Sequence, residues 1–297
     1  MDHLSLYQKP DVKTPYMVIA FAGWPDAGEG ATRAVQYILK KVPVSKCAEI
    51  DPEEFYDFIN LRPLTTLTSE GERSVTWPSN EVHCWTFEET SEGMLFFLGI
   101  EPSLKWKTYA NTLVDLAQDN GVKTVIHLGS LVDTVPHTKE IQITGSSTSS
   151  DIASTLKTLT ILPAAYEGPT GIASAVMESC EKANIDYVSL WGHTPHYLQA
   201  SPNYKVCYAL LQRLDQLLDL GIDLDDMKMA SEDFDLEIKR AVGEDPQINA
   251  YVRKLEQRYD KIIQDNTPMP EPEEAIRELE EFLKEPPPGN GNHSTGY

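Results

Sequence analysis

The sequence is short of positive charge relative to its length of 297 residues. It contains 25 lysines and arginines against 46 acidic residues, which gives a formal net charge of −21 at pH 7. Binding to a nucleic-acid backbone or to an anionic membrane surface depends on Lys and Arg. The composition therefore predicts no nucleic-acid partner and no membrane partner, and its acidity is typical of a solvated surface.

Cysteine is scarce as well, and long apolar runs are absent. The cysteines stand at 47, 84, 180 and 207, and none of their spacings is that of a zinc site. We therefore expect free thiols in a reducing compartment, with no metal and no cofactor. No run approaches the roughly 18 apolar residues of a membrane span, and the N-terminus lacks the pattern of a signal peptide. These features predict a soluble, cytoplasmic protein.

Apolar runs of strand length alternate with segments of helical spacing. Residues 16–22, YMVIAFA, form a continuous apolar run, which is typical of a strand buried on both faces. A glycine-rich loop and a segment of helical periodicity follow, as in an α/β unit. The pattern further predicts strands over 46–51, 122–130, 159–165 and 185–192, a β-rich meander of strands over 73–78, 81–87 and 94–99, and helices that begin within 51–58 and span 106–119 and 172–183.

The character of the sequence changes after Pro202, where the strand patterns stop and helical segments continue to about residue 285. We expect an N-terminal arm over 1–13, one α/β domain over 14–200 and a C-terminal helical extension over 201–285 that packs on it. Residues 286–297 have no apolar periodicity, so the sequence predicts a disordered tail there.

The loop FAGWPDAGEG, residues 21–30, has nearly the glycine spacing of a phosphate-binding loop. Glu29 and Gly30 stand where such a loop needs Lys and Ser or Thr, and a carboxylate beside a triphosphate repels it. The sequence therefore argues against a nucleotide site. A tight turn is favoured, in which Gly28 adopts positive φ and Asp26 caps the next helix. A binding loop for another ligand or for a protein is the alternative.

A second candidate loop, YEGPTG, precedes the helix that begins near residue 172. Thr170 lies near the helix start, where free backbone N–H groups could bind an anion, although capping by the threonine itself is the simpler interpretation. Glu167 could form a general acid–base pair with Asp26, if the fold brings the two carboxylates together.

Three histidines follow predicted strands, so they could meet at the edge of the sheet where the strands end. Ligands in open α/β sheets bind at this edge. His137, His193 and His196 would suit acid–base chemistry, but their spacing matches no metal site. Ser130 lacks the G-x-S-x-G elbow of a hydrolase. The candidate cleft or binding residues are Asp26, Gly28, Glu29, His137, Glu167, Thr170 and His196, and no catalytic residue is assigned.

Several short sequence motifs occur together in this chain: FAGWPDAGEGATRAV, IDPEEFYDF, LGSLVDTVPHT, YEGPTGI and SLWGHTPHY. Their order and density resemble the bacterial branch of the proteasome-assembly-chaperone-like family, the PAC2 family, over about residues 14–285. The resemblance implies a nucleoside-phosphorylase-like fold, with a mixed central sheet flanked by helices. It also implies a non-catalytic protein-binding or assembly factor that forms a homo-oligomer and has a proteasome-related protein partner.

An enzyme or ligand sensor that uses the strand-end cleft of this fold is the alternative. The two differ in what the strand ends should show: an enzyme needs convergent polar groups in a concave pocket, and an assembly factor needs an exposed apolar patch. Tyr297 is the last residue of the chain, whereas proteasome-docking tails in the family carry a tyrosine next to last. This difference argues against docking through the tail.

Overall fold

A mixed β-sheet with helices on both faces forms the body of the protein, as seen in a computed structural model. The structure describes residues 3–68, 71–87, 90–164, 166–198 and 202–265 and the single positions 277, 280 and 281. The strands are β1 (Leu4–Leu6), β2 (Lys13–Ala22), β3 (Val44–Ile50), β4 (Leu64–Leu67), β5 (Arg73–Thr76), β6 (Glu81–Thr86), β7 (Glu92–Ile100), β8 (Thr124–Asp133), β9 (Ile143–Ser147), β10 (Leu162–Pro163) and β11 (Asp186–Pro195). The helices are α1 (Gly30–Lys41), α2 (Trp106–Asp119), α3 (Ser150–Thr158), α4 (Ile172–Ala183), α5 (Tyr204–Leu218), α6 (Asp225–Glu244) and α7 (Pro246–Asp265).

Within the described residues the main sheet has nine strands, in the order β1-β3-β6-β7-β2-β8-β11-β9-β10. β7, β2, β8 and β11 are parallel, so their carboxyl ends meet at one edge, which we call the carboxyl edge. β2 lies between β7 and β8, which confirms that the apolar run at 16–22 is a central strand. The predicted α/β fold class, a mixed sheet flanked by helices, is confirmed.

The continuous apolar run in β2 is explained by burial on both faces of the sheet. Met17, Ile19 and Phe21 pack into the core with α2 and α4, whereas Val18 and Ala20 pack into the core with α1 and α5. All five side chains are fully buried. Each face of a central parallel strand therefore needs apolar residues, and the alternation typical of a half-exposed strand is lost.

The helix predicted to begin within 51–58 is wrong, because this segment forms successive turns. The Asp51 carboxylate accepts a hydrogen bond from the Glu53 backbone N–H at 2.9 Å, which is a local alternative to a helix. The Phe55 carbonyl accepts hydrogen bonds from the backbone N–H groups of Ser103 and Leu104. In a helix the Phe55 carbonyl would accept a hydrogen bond from a backbone N–H four residues later. Here it accepts hydrogen bonds from the segment that follows β7 instead.

The strand predicted over 159–165 is reduced to the two exposed residues of β10, because a turn after α3 takes up the preceding positions: the Ile161 backbone N–H donates to the Leu156 carbonyl at 3.0 Å. Residue 165 lies outside the described residues. The predicted meander is only partly correct: β6 and β7 are antiparallel neighbours, but β5 pairs with β4 in a separate two-stranded sheet. The sequence interpretation also missed β1, β4, β9 and α3.

The C-terminal helices continue the fold at the carboxyl edge. Buried side chains of α5, such as Leu210 and Leu214, share a core with α1, and α6 and α7 pack together beside α5. Residues 286–297 and most of the predicted extension after 265 lie outside the described residues. The division into domains stays a prediction. Among the helices that the structure describes, none is long and apolar enough to cross a membrane.

Candidate functional site

Asp26 lies buried in the loop after β2 and caps the start of α1. Its carboxylate accepts hydrogen bonds from the backbone N–H groups of Ala31, at 2.7 Å, and Thr32, at 3.3 Å, and from the Thr32 hydroxyl. The Ser130 hydroxyl of β8 donates a further hydrogen bond to it at 3.0 Å. Burial raises the pKa of Asp26 above its usual value, and these hydrogen bonds oppose that shift. The carboxylate occupies the position that a bound phosphate would take at this helix N-terminus.

Gly28 and Glu29 shape the turn between Asp26 and α1. Gly28 has φ 64° and ψ 23°, which confirms the predicted positive φ, and its carbonyl accepts a hydrogen bond from the Asn203 backbone N–H at 2.7 Å. Glu29 is also left-handed, with φ 54°. Its side chain points to solvent, where it forms an ion pair with Arg33 at 2.8 Å.

Glu101, directly after β7, caps α4 as Asp26 caps α1. Its Oε1 accepts a hydrogen bond from the Ile172 backbone N–H at 2.9 Å, and burial raises its pKa. Gly171 fits between this carboxylate and Trp24: a Cβ at this position would lie 2.7 Å from Glu101 Oε1 and 3.1 Å from the Trp24 ring. The loop after β2 therefore lies beside Gly171.

Thr170 and Glu167 lie on the exposed loop before α4. The Thr170 hydroxyl is hydrogen-bonded to the Ser174 hydroxyl, so the prediction that Thr170 caps the helix is wrong. Because Asp26 is buried in its capping role and Glu167 is exposed, the structure does not support an acid–base pair of these two carboxylates.

A buried polar cluster occupies the ends of β8 and β11. The carboxylate of Asp133 lies 2.5 Å from Nδ1 of His193, and its other oxygen accepts a hydrogen bond from the Thr134 backbone N–H at 2.6 Å. Nε2 of His193 lies 3.0 Å from the Thr144 hydroxyl. The sequence interpretation did not assign Asp133, although a carboxylate that ends a buried strand was a usable signal.

His196 and His137 lie on either side of Tyr197. His196 donates its backbone N–H to the Asp133 carbonyl at 3.0 Å, and its Nε2 lies 2.7 Å from the Tyr251 hydroxyl. The Tyr197 hydroxyl lies 2.7 Å from both the backbone nitrogen and Nδ1 of His137. Burial, together with the nearby Lys205, lowers the pKa of His137. Both predicted histidines are thus buried and engaged by neighbouring tyrosines.

The C-terminal helices cover this half of the carboxyl edge. Tyr251 of α7 reaches His196, and Asp260 of α7 forms an ion pair with Lys139 at 2.6 Å. Lys205 at the start of α5 forms an ion pair with Asp235 of α6 at 2.5 Å and donates a hydrogen bond to the His137 carbonyl at 2.7 Å. The chain's own side chains therefore fill the region over β8 and β11 where ligands bind in open α/β sheets.

Cavities occur elsewhere in the structure. One of about 350 Å³ lies among Glu49, Asp51 and Trp77, and one of about 430 Å³ lies between the N-terminal segment and β3. In the described part of the chain no group of three or more His, Cys, Asp or Glu side chains is placed to hold a metal ion.

The β4–β5 hairpin exposes apolar side chains at the other half of the carboxyl edge, between the end of β3 and the start of β6. All eight residues of the two strands are exposed, including Leu64, Leu67 and Val75, at 67%, 70% and 52%. Trp77, at the base of the hairpin, is 49% exposed, and its ring packs edge-on against Phe58 at 5.0 Å. A two-stranded hairpin is only marginally stable in water by itself.

The segment that contains this hairpin, residues 59–77, has no net charge, although the whole chain is strongly acidic. Residues 59–77 contain two arginines and two glutamates, for a net charge of zero, whereas the whole chain carries −21. Exposed apolar side chains in a segment without net charge are a feature of protein interaction sites.

Comparison with known proteins places this chain among relatives of similar fold. The sequence profile of the PAC2 family matches residues 20–242. A PAC2 family protein from Streptomyces avermitilis is 34% identical, with TM-score 0.73, over 80% of this chain and 99% of that one. A proteasome-assembly chaperone homologue from Mycobacterium tuberculosis is 31% identical, with TM-score 0.72, over 80% and 99%.

An archaeal proteasome activator from Pyrococcus furiosus shares the fold at 18% identity, with TM-score 0.63, over 82% of this chain and 100% of that one. Among curated proteins, none matches this sequence significantly.

Proposed function

The chain belongs to the PAC2 family, and on that premise we propose that it is a non-catalytic protein-binding or assembly factor whose partner is a proteasome-related subunit. The name of the Mycobacterium tuberculosis relative, a proteasome-assembly chaperone homologue at 31% identity, supports this partner class.

The proposal rests on a difference between the two halves of the carboxyl edge, one of which is covered and the other exposed. An enzyme of this fold would need an open concave site over β8 and β11, but Asp133, His193 and His196 are buried there, and Tyr251 of α7 covers His196. An assembly factor needs an exposed apolar surface instead, and the β4–β5 hairpin supplies one.

The hairpin is the contact surface that we propose. Its strands pair with each other, and among the described residues their outer edges have no strand partner. Such an edge can pair with a strand of another protein, while Leu67 and Val75 on one face supply apolar contact. Because residues 59–77 carry no net charge, a partner meets less electrostatic repulsion there than at the acidic surface elsewhere.

A binding experiment with matched variants tests the proposal. Leu67→Ser/Val75→Ser removes apolar contact from the hairpin, and Met229→Ser/Leu236→Ser removes exposed apolar side chains from α6 as a control. Calorimetry with purified proteasome α-subunits of the host should show binding to the wild type and to the control. The hairpin variant should bind at least about tenfold more weakly, which corresponds to a loss of at least about 1.4 kcal/mol in binding free energy.

The outcomes separate the two parts of the proposal. If the wild type does not bind the α-subunits, the proposed partner is wrong. If both variants bind as tightly as the wild type, the partner stands and the hairpin is not its contact surface.

We further propose that the protein forms a homo-oligomer and is located in the cytoplasm. Aromatic residues are enriched at interfaces, and Trp24, Tyr166 and Trp77 are exposed in this chain. Light scattering should give a mass above that of one subunit at the higher concentrations of a hundredfold series, and a single-subunit mass throughout would refute a homo-oligomer.

A further inference from the structure

The N-terminal strand β1 is one edge of the main sheet, and within the described residues it pairs only with β3. The flanking residues show which of its backbone groups face β3. The His3 carbonyl accepts a hydrogen bond at 2.9 Å from the segment after β3, and the Tyr7 backbone N–H donates one at 2.9 Å to the Cys47 carbonyl. Because hydrogen-bonded residues alternate along an antiparallel strand, Leu4 and Leu6 point their N–H and C=O groups away from β3.

These outward groups make β1 an open edge. In the part of the chain that the structure describes, no backbone or side-chain group forms a hydrogen bond with them. The opposite edge of the sheet is β10, which has only two residues and in which Pro163 has no N–H to donate. Of the two edges of the main sheet, β1 is therefore the one suited to the addition of another strand.

The residues around β1 lack the features that usually block such an edge. Exposed edge strands commonly carry charged residues or proline, which prevent pairing with another chain. Residues 3–8, HLSLYQ, contain no Lys, Arg, Asp, Glu or Pro, although the whole chain carries a net charge of −21. Lys9 and Pro10 follow only after the strand. Two copies of this segment can thus meet without like charges on the strand itself.

We propose that β1 pairs with β1 of a second copy of this chain, antiparallel and about a twofold axis at Ser5. The inference rests on the homo-oligomer proposed above and names its interface. In this register Leu4 lies opposite Leu6 of the second copy, and each of the two Leu4–Leu6 pairs exchanges two N–H···O=C hydrogen bonds. Every outward backbone group of the two leucines is then used in both copies. A twofold contact of this kind uses the same surface on both subunits and closes as a dimer.

The side chains of β1 suit the same register. Leu4 and Leu6 line the cavity of about 430 Å³, whereas Ser5 lines the one of about 350 Å³ on the other face. Leu6 is 67% exposed in the single chain, and in the pair it contacts the leucines of the second copy. Ser5 meets Ser5 at the axis, where its small side chain fits a non-hydrogen-bonded position with Cα atoms about 4.5 Å apart.

The nearest carboxylate of β3 does not oppose this pairing. Glu49 lies opposite Ser5 in the ladder and forms an ion pair with Lys46 at 2.8 Å. Across the dimer, the two copies of Glu49 are separated by three strand spacings, or about 14 Å. This distance exceeds the screening length of about 8 Å at physiological ionic strength, so their repulsion is weak.

Analytical ultracentrifugation of the full-length protein tests the interface with two matched variants. Leu6→Lys places a like charge on the edge of each copy, and Leu236→Lys makes the same change at a leucine of α6 that is 60% exposed. The wild type and Leu236→Lys should approach the mass of two subunits at the top of a hundredfold concentration series. Leu6→Lys should raise the dissociation constant of the dimer at least about tenfold.

A cross-linking experiment tests the register. Ser5→Cys brings two thiols together at the proposed axis, within the distance that a disulfide bridges. Mild oxidation should therefore convert this variant to a covalent dimer that dithiothreitol separates. Ser154→Cys carries an exposed thiol on α3 and is the control, which should stay largely monomeric on a denaturing gel. The native cysteines are all buried, so they contribute little background.

The results separate this interface from the homo-oligomer on which it rests. A single-subunit mass of the wild type throughout the series refutes both. If Leu6→Lys associates as tightly as the wild type, or if Ser5→Cys gives no more covalent dimer than Ser154→Cys, pairing through β1 is wrong and the homo-oligomer uses another surface. Binding of a proteasome-related partner at the β4–β5 hairpin is measured separately and is affected by neither result.

Discussion

The Ser130 hydroxyl donates a hydrogen bond of 3.0 Å to the Asp26 carboxylate, although the two residues are 104 positions apart in the chain. The same two residues form an isolated parallel bridge beyond the end of β2. This contact joins the first helix-capping loop to the end of the neighbouring parallel strand. It makes Asp26 part of the structural core of the carboxyl edge.

Asp26→Ala should lower the free energy of unfolding by about 1–3 kcal/mol, because the buried amides of Ala31 and Thr32 lose their acceptor. Asp26→Asn keeps one acceptor oxygen, so its cost should be smaller. Urea unfolding at pH 7 measures both. An Asp26→Ala variant as stable as the wild type would contradict the capping role.

Gly28→Val should cost about 1–3 kcal/mol, because φ is 64° at this position and a β-branched side chain is strained there. Gly28→Asn should cost less, since Asn tolerates the left-handed region. The control is Glu29→Gln, which should change stability by no more than about 0.5 kcal/mol at this exposed site. Thermal unfolding of the three variants checks the ranking, and equal stability of Val and Asn at position 28 would speak against the turn geometry.

We expect no binding of Mg-ATP at the loop after β2. The carboxylate of Asp26 occupies the first amides of α1, and Glu29 and Gly30 replace the lysine and hydroxyl of a phosphate-binding loop. Calorimetric titration should detect no site tighter than about 10 μM, which corresponds to about −7 kcal/mol. Tight binding that is lost in Gly28→Val would show that the loop does hold a nucleotide.

His127 should make the protein less stable as the pH falls below 6.5. Burial lowers its pKa to about 3, so the folded state binds fewer protons than the unfolded state between pH 6.5 and about 3. The contribution of His127 to the free energy of unfolding is therefore complete above pH 6.5. It declines on acidification by about 1.4 kcal/mol per pH unit. Urea unfolding of the wild type and His127→Gln from pH 7 to pH 4 should show the steeper decline in the wild type. Parallel profiles would mean that His127 does not titrate as a buried neutral group.

Lys205→Met should destabilise the docking of α6 by about 1–3 kcal/mol, because Lys205 is mostly buried and contacts both Asp235 and the His137 carbonyl. Lys239→Met is the matched control, since Lys239 pairs with the same aspartate but is half exposed. Its cost should be no more than about 0.5 kcal/mol. Hydrogen exchange of α6 together with urea unfolding would distinguish them, and equal effects of the two variants would rule out a special role for Lys205.

Regular apolar periodicity made much of the fold predictable. β2, β8 and β11 and the helices α1, α2 and α4 were recognised because each buries a continuous run or a defined stripe. The segment at 51–58 carried a helix start signal, but tertiary hydrogen bonds to Phe55 override it. β9 was missed because its sequence, ITGSS, lacks the apolar pattern of a strand.

The candidate site was predictable in position more than in role. Asp26 was expected to cap α1 and does so, since capping depends on local sequence. Glu101 was missed because its partner, Ile172, lies 71 residues away and β7 was interpreted as part of a meander. Likewise, His196 gave no sign that Tyr251 of α7 would cover it, because such a contact depends on how the C-terminal helices return to the sheet.

Trp24 and Trp77 are exposed fluorophores at two different places on the carboxyl edge. Trp24 is 61% exposed beside Gly171, and Trp77 is 49% exposed at the base of the hairpin, whereas Trp85, Trp106 and Trp191 are less accessible. Water around an exposed indole shifts its emission to longer wavelength, and a partner that displaces that water shifts the emission back. Replacing either exposed tryptophan by phenylalanine would leave the other to report its own surface, so the place of contact can be read from the unlabelled protein.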